Sequence, residues 1–304
     1  MVNTFNVPAD GSIYAETIFE RCRDLIGYQI WSGLQRSRLD AWVANFQTAE
    51  ERYFAARVLD ALIYRSDDQT IALLRHLLCR VVPDYARIGG LPASLRQVYY
   101  SLRDPKIDPR VRVVPVIPPG APPTKSGPLI ARHLKRALKI SERWIIHPER
   151  VAHEVSSIDA VIFVDDFLGT GHQFGQFLAD TGLSTYLTSS CFLYACLAGH
   201  KHGIDTLRRA FPDLHVATVE NLDDSHAVFH AESGSFPDGV NSIETAKDFY
   251  YDLLDDRGIT IVGQDRRGYG HLEIAYAFEH AVPDNSLPIL WWDQSDSWNP
   301  LFDR

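Results

Sequence analysis

Apolar positions along the chain change their spacing once, from helical recurrence to short, densely apolar runs. In the first part Ala15, Ile18, Phe19, Cys22 and Leu25 fall three and four residues apart, which places them on one helix face. A second helix is expected from about Ser37, with Leu39, Trp42, Val43 and Phe46 turned inward. Thr48 and Glu51 stand at capping-box spacing ahead of Ala55, Val58, Leu59, Leu62 and Ile63 and predict a third. Ser66, Asp67 and Asp68 open a fourth through Ile71, Leu74, Leu77, Leu78 and Val81, and Pro83 is expected to stop it.

Beyond Gly89-Gly90-Leu91-Pro92, strand-like runs at 111–117, 160–164, 190–197 and 214–219 alternate with helical patterns at 127–138, 172–178 and 204–211. Strands joined through helix-length connections form parallel sheets. The expected class is therefore α/β, with an N-terminal helical region over 1–88 and a parallel-sheet domain over 89–304. In the tail, 242–254 reads as an amphipathic helix, 259–262 as a short strand and 272–278 as a helix or strand.

Composition narrows the classes. A chain of 304 residues, 45% hydrophobic and 23% charged, has the make-up of a folded protein with one large domain or two modest ones. Thirty basic against thirty-nine acidic residues leave a net charge of −9, which argues against broad nonspecific nucleic-acid binding and leaves room for a local basic patch. Cys22, Cys79, Cys191 and Cys196 form no Cys-x-x-Cys pair and read as buried free thiols in a reducing compartment. Asp10, Glu16 and Glu20 occupy an N-terminus without the basic and apolar regions of a signal peptide, and no apolar run is long enough for a bilayer. A cytoplasmic location is expected.

The candidate chemistry gathers where Asp165 and Asp166 end an apolar run and Gly169, Thr170 and Gly171 lead into a helix. Ligands of parallel sheets sit at the carboxyl ends of strands. A glycine-rich turn feeding a helix offers amides to a phosphate. Adjacent carboxylates suit ribose hydroxyls, or a Mg²⁺ that bridges to phosphates. Turn chemistry alone explains each residue type, but not their combination. A dinucleotide loop has its glycines first and its acid about 20 residues later. A sugar phosphate, with Mg²⁺ near Asp165 and Asp166 rather than in a wholly protein-made metal site, is the expected ligand.

The segment Val164-Asp-Asp-Phe-Leu-Gly-Thr-Gly171 resembles the phosphoribosyl-pyrophosphate (PRPP) loop of type I phosphoribosyltransferases. Lys125-Ser126-Gly127, Gly268-Tyr269-Gly270, Phe278-Glu279-His280 and the stretch from Pro283 to Trp291 extend the likeness. Together they are similar to the phosphoribosyltransferase-like PRTase-CE domains of bacterial conflict and anti-phage operons. The resemblance implies a type I phosphoribosyltransferase-like sheet domain in which Asp165 and Asp166 face the ribose hydroxyls and act as the catalytic pair. Gly169, Thr170, Gly171, His172 and Gln173 would cradle the 5-phosphate, and Lys125, Ser126 and Gly127, with Arg266 and Arg267, would meet the pyrophosphate. It also implies a defence role with a protein partner from the same operon.

Alternatives stand beside these roles. The loop before Gly127 also reads as a stiff, proline-rich connection with Ser126 as helix cap. Arg266 and Arg267 also read as a solvated pair. His280 reads as a structural residue, and His200, His202, His226 and His230 as surface or loop histidines without a metal-ligand set. Trp291, Trp292, Trp298 and Phe302 are expected to pack against the domain. The favoured function is Mg²⁺-dependent PRPP or nucleotide binding with phosphoribosyl transfer. Gly169 and Gln173 stand where threonine or serine is usual, which favours a second reading, a nucleotide sensor that has lost catalysis. A third is a nucleotide N-glycosidic hydrolase.

Overall fold

The computed structural model describes residues 4–120, 126–237, 239–261, 264–294 and 297–303. Three helices, α1 (Gly11–Gly27), α2 (Arg36–Val43) and α3 (Ala49–Asp60), follow the expected apolar spacings. The capping box forms: Thr48 Oγ1 accepts from the Glu51 amide at 3.2 Å, and the Thr48 amide donates to Glu51 Oε2 at 3.3 Å. Next come β1 (Ile63–Arg65), α4 (Asp67–His76), α5 (Val82–Ile88) and α6 (Val98–Ser101). The sheet region comprises β2 (Val111–Pro115), α7 (Ser126–Arg136), α8 (Pro148–Glu154), β3 (Ala160–Leu168), α9 (His172–Asp180), β4 (Cys191–His200), α10 (Lys201–Ala210) and β5 (His215–Leu222). Helix α11 (Ile243–Asp256) and strand β6 (Tyr276–Phe278) follow.

Three local expectations are corrected. Pro83 does not end the fourth helix: a π-helical turn at Leu77–Val81 joins α4 to α5, whose first turn holds the proline. Proline is tolerated there because a first-turn residue needs no amide donor. Ile63 leaves the helical pattern and pairs in β1 with Tyr276 of β6, in parallel register. Residues 259–261 form no strand, and Val262 lies outside the described residues.

The chain forms two compact units, Met1–Asp67 with Asp223–Arg304, and Asp68–Leu222. This division replaces the break expected at 88/89. In the first unit the apolar faces of α1–α3 are covered by the C-terminal part of the chain, and Phe19, Trp42 and Phe54 share a core with Phe229, Tyr250, Leu290 and Trp298. Trp42 Nε1 donates to the Ile289 carbonyl at 2.7 Å, and Arg257 Nη2 reaches both carboxylate oxygens of Glu51 at 2.7 Å. Trp291, Trp292, Trp298 and Phe302 are buried, so the terminal aromatics pack as expected.

The second unit holds an all-parallel sheet of order β2-β3-β4-β5. One sheet face, with Phe163, Phe192, Tyr194 and Val216, packs against Val151 of α8, Phe174 and Phe177 of α9, and Leu207 of α10. Helix α7 packs against β2 and β3, and the π-helical turn against β4 and β5. Strand β3 outruns the apolar run at 160–164 and continues to Leu168, so both acids lie inside it. Among the described residues no helix is long and apolar enough to cross a membrane.

Candidate functional site

The site is built on the carboxyl end of β3, and the strand's own alternation decides what its two acids do. Successive side chains of a strand point to opposite faces. Asp165 points to the face of Phe163, under α9, where Tyr194 Oη donates to its Oδ2 at 2.9 Å. Asp166 points the other way, toward the start of α7, and its Oδ1 accepts from Ser126 Oγ at 3.1 Å and from the Phe167 amide at 2.9 Å. Asp165 is 3% exposed and Asp166 8%. Burial first, and then the charge of Asp166, push the Asp165 carboxyl well above the usual carboxylate range. Burial drives the Tyr194 hydroxyl and Cys196 thiol upward as well. Two adjacent carboxylates facing one ligand were expected. The structure buries both, with Tyr194 holding Asp165 from the α9 face and Ser126 holding Asp166 from α7, and the two carboxyls stay close enough to interact.

The turn after β3 is suited to an anion. Gly171 has φ +83°, a left-handed conformation open to glycine at little cost, and it occupies the N-cap of α9 without a capping side chain. The first-turn amides of this helix therefore take no cap from Gly171, and the positive end of the helix lies at the strand's carboxyl edge. His172 and Gln173 are exposed there, and Thr170 is half-buried with its Oγ1 accepting from the His172 amide at 3.4 Å.

A residue that the sequence pattern did not single out shapes this turn. Gly203, in the first turn of α10, lies so close that a Cβ there would stand 2.2 Å from the Gly169 carbonyl oxygen and 3.0 Å from the Gly171 nitrogen. Its sequence signal, an isolated glycine in a helical pattern, marks close approach without naming the partner. Gly127 plays a similar part at α7, where a Cβ would meet the Val116 carbonyl oxygen at 2.5 Å. Ser126 and Gly127 thus stand beside Asp166 at the end of β2, and Lys125 lies outside the described residues.

The remaining candidates are placed as follows. Arg266 and Arg267 belong to the first unit. Arg266 Nη2 donates to Asp255 Oδ1 at 2.7 Å and to the Tyr251 carbonyl at 3.1 Å, and Arg267 pairs with the buried Glu273. Neither arginine is a solvated neighbour of the other with its charge uncommitted. His200 is corrected from a surface or loop residue to a buried one: it caps α10, its Nδ1 accepting from the His202 amide at 3.2 Å. His226 pairs with Asp223 at 2.9 Å, and His230 Nδ1 accepts from the Glu232 amide at 3.2 Å. Among the described residues no group of three or more His, Cys, Asp or Glu side chains is arranged to hold a metal. Cys79 and Cys191 are only partly buried, unlike Cys22 and Cys196.

A carboxylate held by the first turn of α7 and a glycine turn leading into α9 thus stand at the carboxyl edge of a parallel sheet, where ligands of such sheets bind and where helix starts favour anions. Comparison with curated proteins finds no match. A family model described as PRTase-CE matches residues 39–304, which takes in the whole sheet unit and most of the first unit. The chain accordingly belongs to the PRTase-CE family, a phosphoribosyltransferase-like family.

Proposed function

We propose that this chain binds PRPP, or a nucleotide carrying ribose 5-phosphate, at the carboxyl edge of β3, and transfers the phosphoribosyl group. The observation that carries this reading is Asp166, held by Ser126 at the first turn of α7, on the same strand end from which the Gly169-Thr170-Gly171 turn leads into α9. The amides after Gly169, Thr170 and Gly171, with exposed His172 and Gln173, would hold the 5-phosphate, and Asp166 the ribose hydroxyls. Ser126 and Gly127 would lie toward the pyrophosphate. Departure of pyrophosphate leaves positive charge at the anomeric carbon, and fixed dipoles and a carboxylate placed beforehand lower that barrier without reorganising.

The donor set suits Mg²⁺ in one limited way: Asp166 offers a carboxylate beside a phosphate site, as where a carboxylate and substrate oxygens share the ion. Mg²⁺ bound there supplies neutralisation of the diphosphate charge. Asp165, turned inward beneath Tyr194, is not among the residues that would hold it.

One observation favours a second reading, a sensor that binds without turnover. With Asp165 interior, a single acid is left at the ligand's side of the strand. A role in a bacterial anti-phage system, with an operon partner and a cytoplasmic location, belongs to this proposal through the family likeness.

Titration calorimetry with PRPP, with and without Mg²⁺, alongside a pyrophosphate-release assay over a panel of bases and nucleotides, separates the readings. Transfer requires Mg²⁺-dependent release, and the sensor requires binding without release. Loss of nucleotide in the absence of PRPP would instead indicate hydrolysis. Asp166→Asn is expected to weaken PRPP binding at least tenfold, about 1.4 kcal/mol, while the protein stays folded. Absence of PRPP and nucleotide binding by the unaltered protein sinks the reading.

A further inference from the structure

We propose that Tyr194 is a positioning residue that locks the acid end of β3 to the phosphate-binding start of α9. This inference rests on the proposed ligand and adds a residue to which the sequence reading assigned no role. Tyr194 lies on β4, in parallel register with Phe163 of β3. Its hydroxyl donates to Asp165 Oδ2 at 2.9 Å, and Asp165 Oδ1 accepts from the Asp166 amide at 3.1 Å. Its ring stacks on Phe174, centroids 3.6 Å apart and planes 6° from parallel. Phe174 is in the first turn of α9, directly after His172 and Gln173.

One buried side chain therefore grips both ends of the turn. Its hydroxyl holds the backbone that carries Asp166, and its ring holds the helix whose first amides face the anion. The Gly169-Thr170-Gly171 turn spans the gap between them, and glycine gives it little stiffness of its own. A ligand that engages Asp166 through its ribose and α9 through its phosphate feels the spacing between these points. An inorganic phosphate touches only one of them and does not.

Asp165 then serves as an acceptor for Tyr194 and as a hydrogen-bond partner for its own strand, and does not itself touch ligand. Loose geometry in a supporting layer is costly because the groups it holds lose their preorganisation.

The test uses Tyr194→Phe, which keeps the ring stack and removes the hydroxyl. Two readouts are taken on the full chain: amide hydrogen exchange across 166–174, and dissociation constants for PRPP and for inorganic phosphate. The expected result is exchange at 166–174 faster by about tenfold or more, the factor that corresponds to one lost hydrogen bond. PRPP affinity is expected to fall by a similar factor, with phosphate affinity within about twofold of the unaltered protein. Asp165→Asn keeps one of the two acceptors that serve Tyr194 and the Asp166 amide and is expected to show smaller losses of exchange protection and PRPP affinity than Asp165→Leu, which has none and is expected to lose at least as much as Tyr194→Phe. Unchanged exchange in Tyr194→Phe overturns the positioning role. So does a loss of PRPP binding in Asp165→Asn as large as in Asp166→Asn, since Asp165 would then contact ligand itself. Failure of the unaltered protein to bind PRPP would overturn the functional reading, and the exchange measurement would still judge the role of Tyr194 in the fold.

Discussion

Asp165 and Asp166 are chemically identical and adjacent, yet they stand in different media. Asp165 is enclosed by Tyr194 and Cys196, and Asp166 meets the hydroxyl of Ser126. The raised Asp165 carboxyl has a consequence for stability. In the unfolded chain an aspartate gives up its proton near pH ~3.9, whereas the folded protein retains it to well above that value. Above about pH 4 the folded state thus binds more protons than the unfolded, and stability falls as pH rises toward the folded value. The slope reaches at most about 1.4 kcal/mol per pH unit for one proton. Asp165→Asn carries no proton to lose, so its melting temperature is expected to depend less on pH between about 4 and 7. Differential scanning calorimetry at several pH values decides this, and parallel slopes for the two proteins would mean that Asp165 is ionised in the fold.

At the scale of elements, helix starts and a strand end were legible because their signals are local. The Thr48–Glu51 capping box, the spacing of Ala15, Phe19 and Cys22, and the glycine turn before α9 all act within a few residues. Residues that depend on a neighbouring element were not legible. Gly203 is an unremarked glycine until α10 is seen to lie against the turn, and Tyr194 is one apolar position in a strand until Asp165 faces it. Gly203→Ala places a methyl into the Gly169 carbonyl, and backbone cannot rotate aside as a side chain does. A destabilisation of about 1–3 kcal/mol is expected, the usual range for overpacking, with loss of phosphate affinity as the turn shifts. Thermal melts and phosphate titration check it, and a variant with unaltered phosphate affinity would mean that α10 has no part in shaping the cradle. Pro83 shows the opposite failure. Its local signal was read as the end of the helix, whereas the chain continues through a π-helical turn into α5 and carries the proline in the first turn.

At the scale of the whole molecule, the boundary drawn from texture is not the boundary drawn by contacts. The change from helical to strand-like spacing near residue 89 is real, but α1–α3 share their core with residues after 222, and α4 and α5 belong to the sheet unit. A fragment covering 89–304 would lack Trp42, Phe54 and the other N-terminal contributors to the first unit's core, as well as the π-helical turn that covers β4 and β5. It is expected to show no cooperative thermal transition, whereas a fragment of 68–222 keeps its sheet and both coverings and is expected to show one. Calorimetry on the two fragments tests the division. A cooperative transition in 89–304 would restore the boundary read from the sequence.

The amino-acid sequence by itself determined the α/β class, the parallel sheet, the glycine turn at the end of β3 and the family likeness. Each of these is written in local spacing or in a contiguous motif. Only the tertiary structure decided which partner each acid meets, that Tyr194 reaches Asp165 and Gly203 lies against the turn, and that the chain's two ends share one core. Apolar periodicity states which face of an element is buried, and it carries no record of what buries it. Similarly, two adjacent acids in a motif do not state their partners, because a strand that continues through them turns one toward Tyr194 and the other toward Ser126 while their charges still interact.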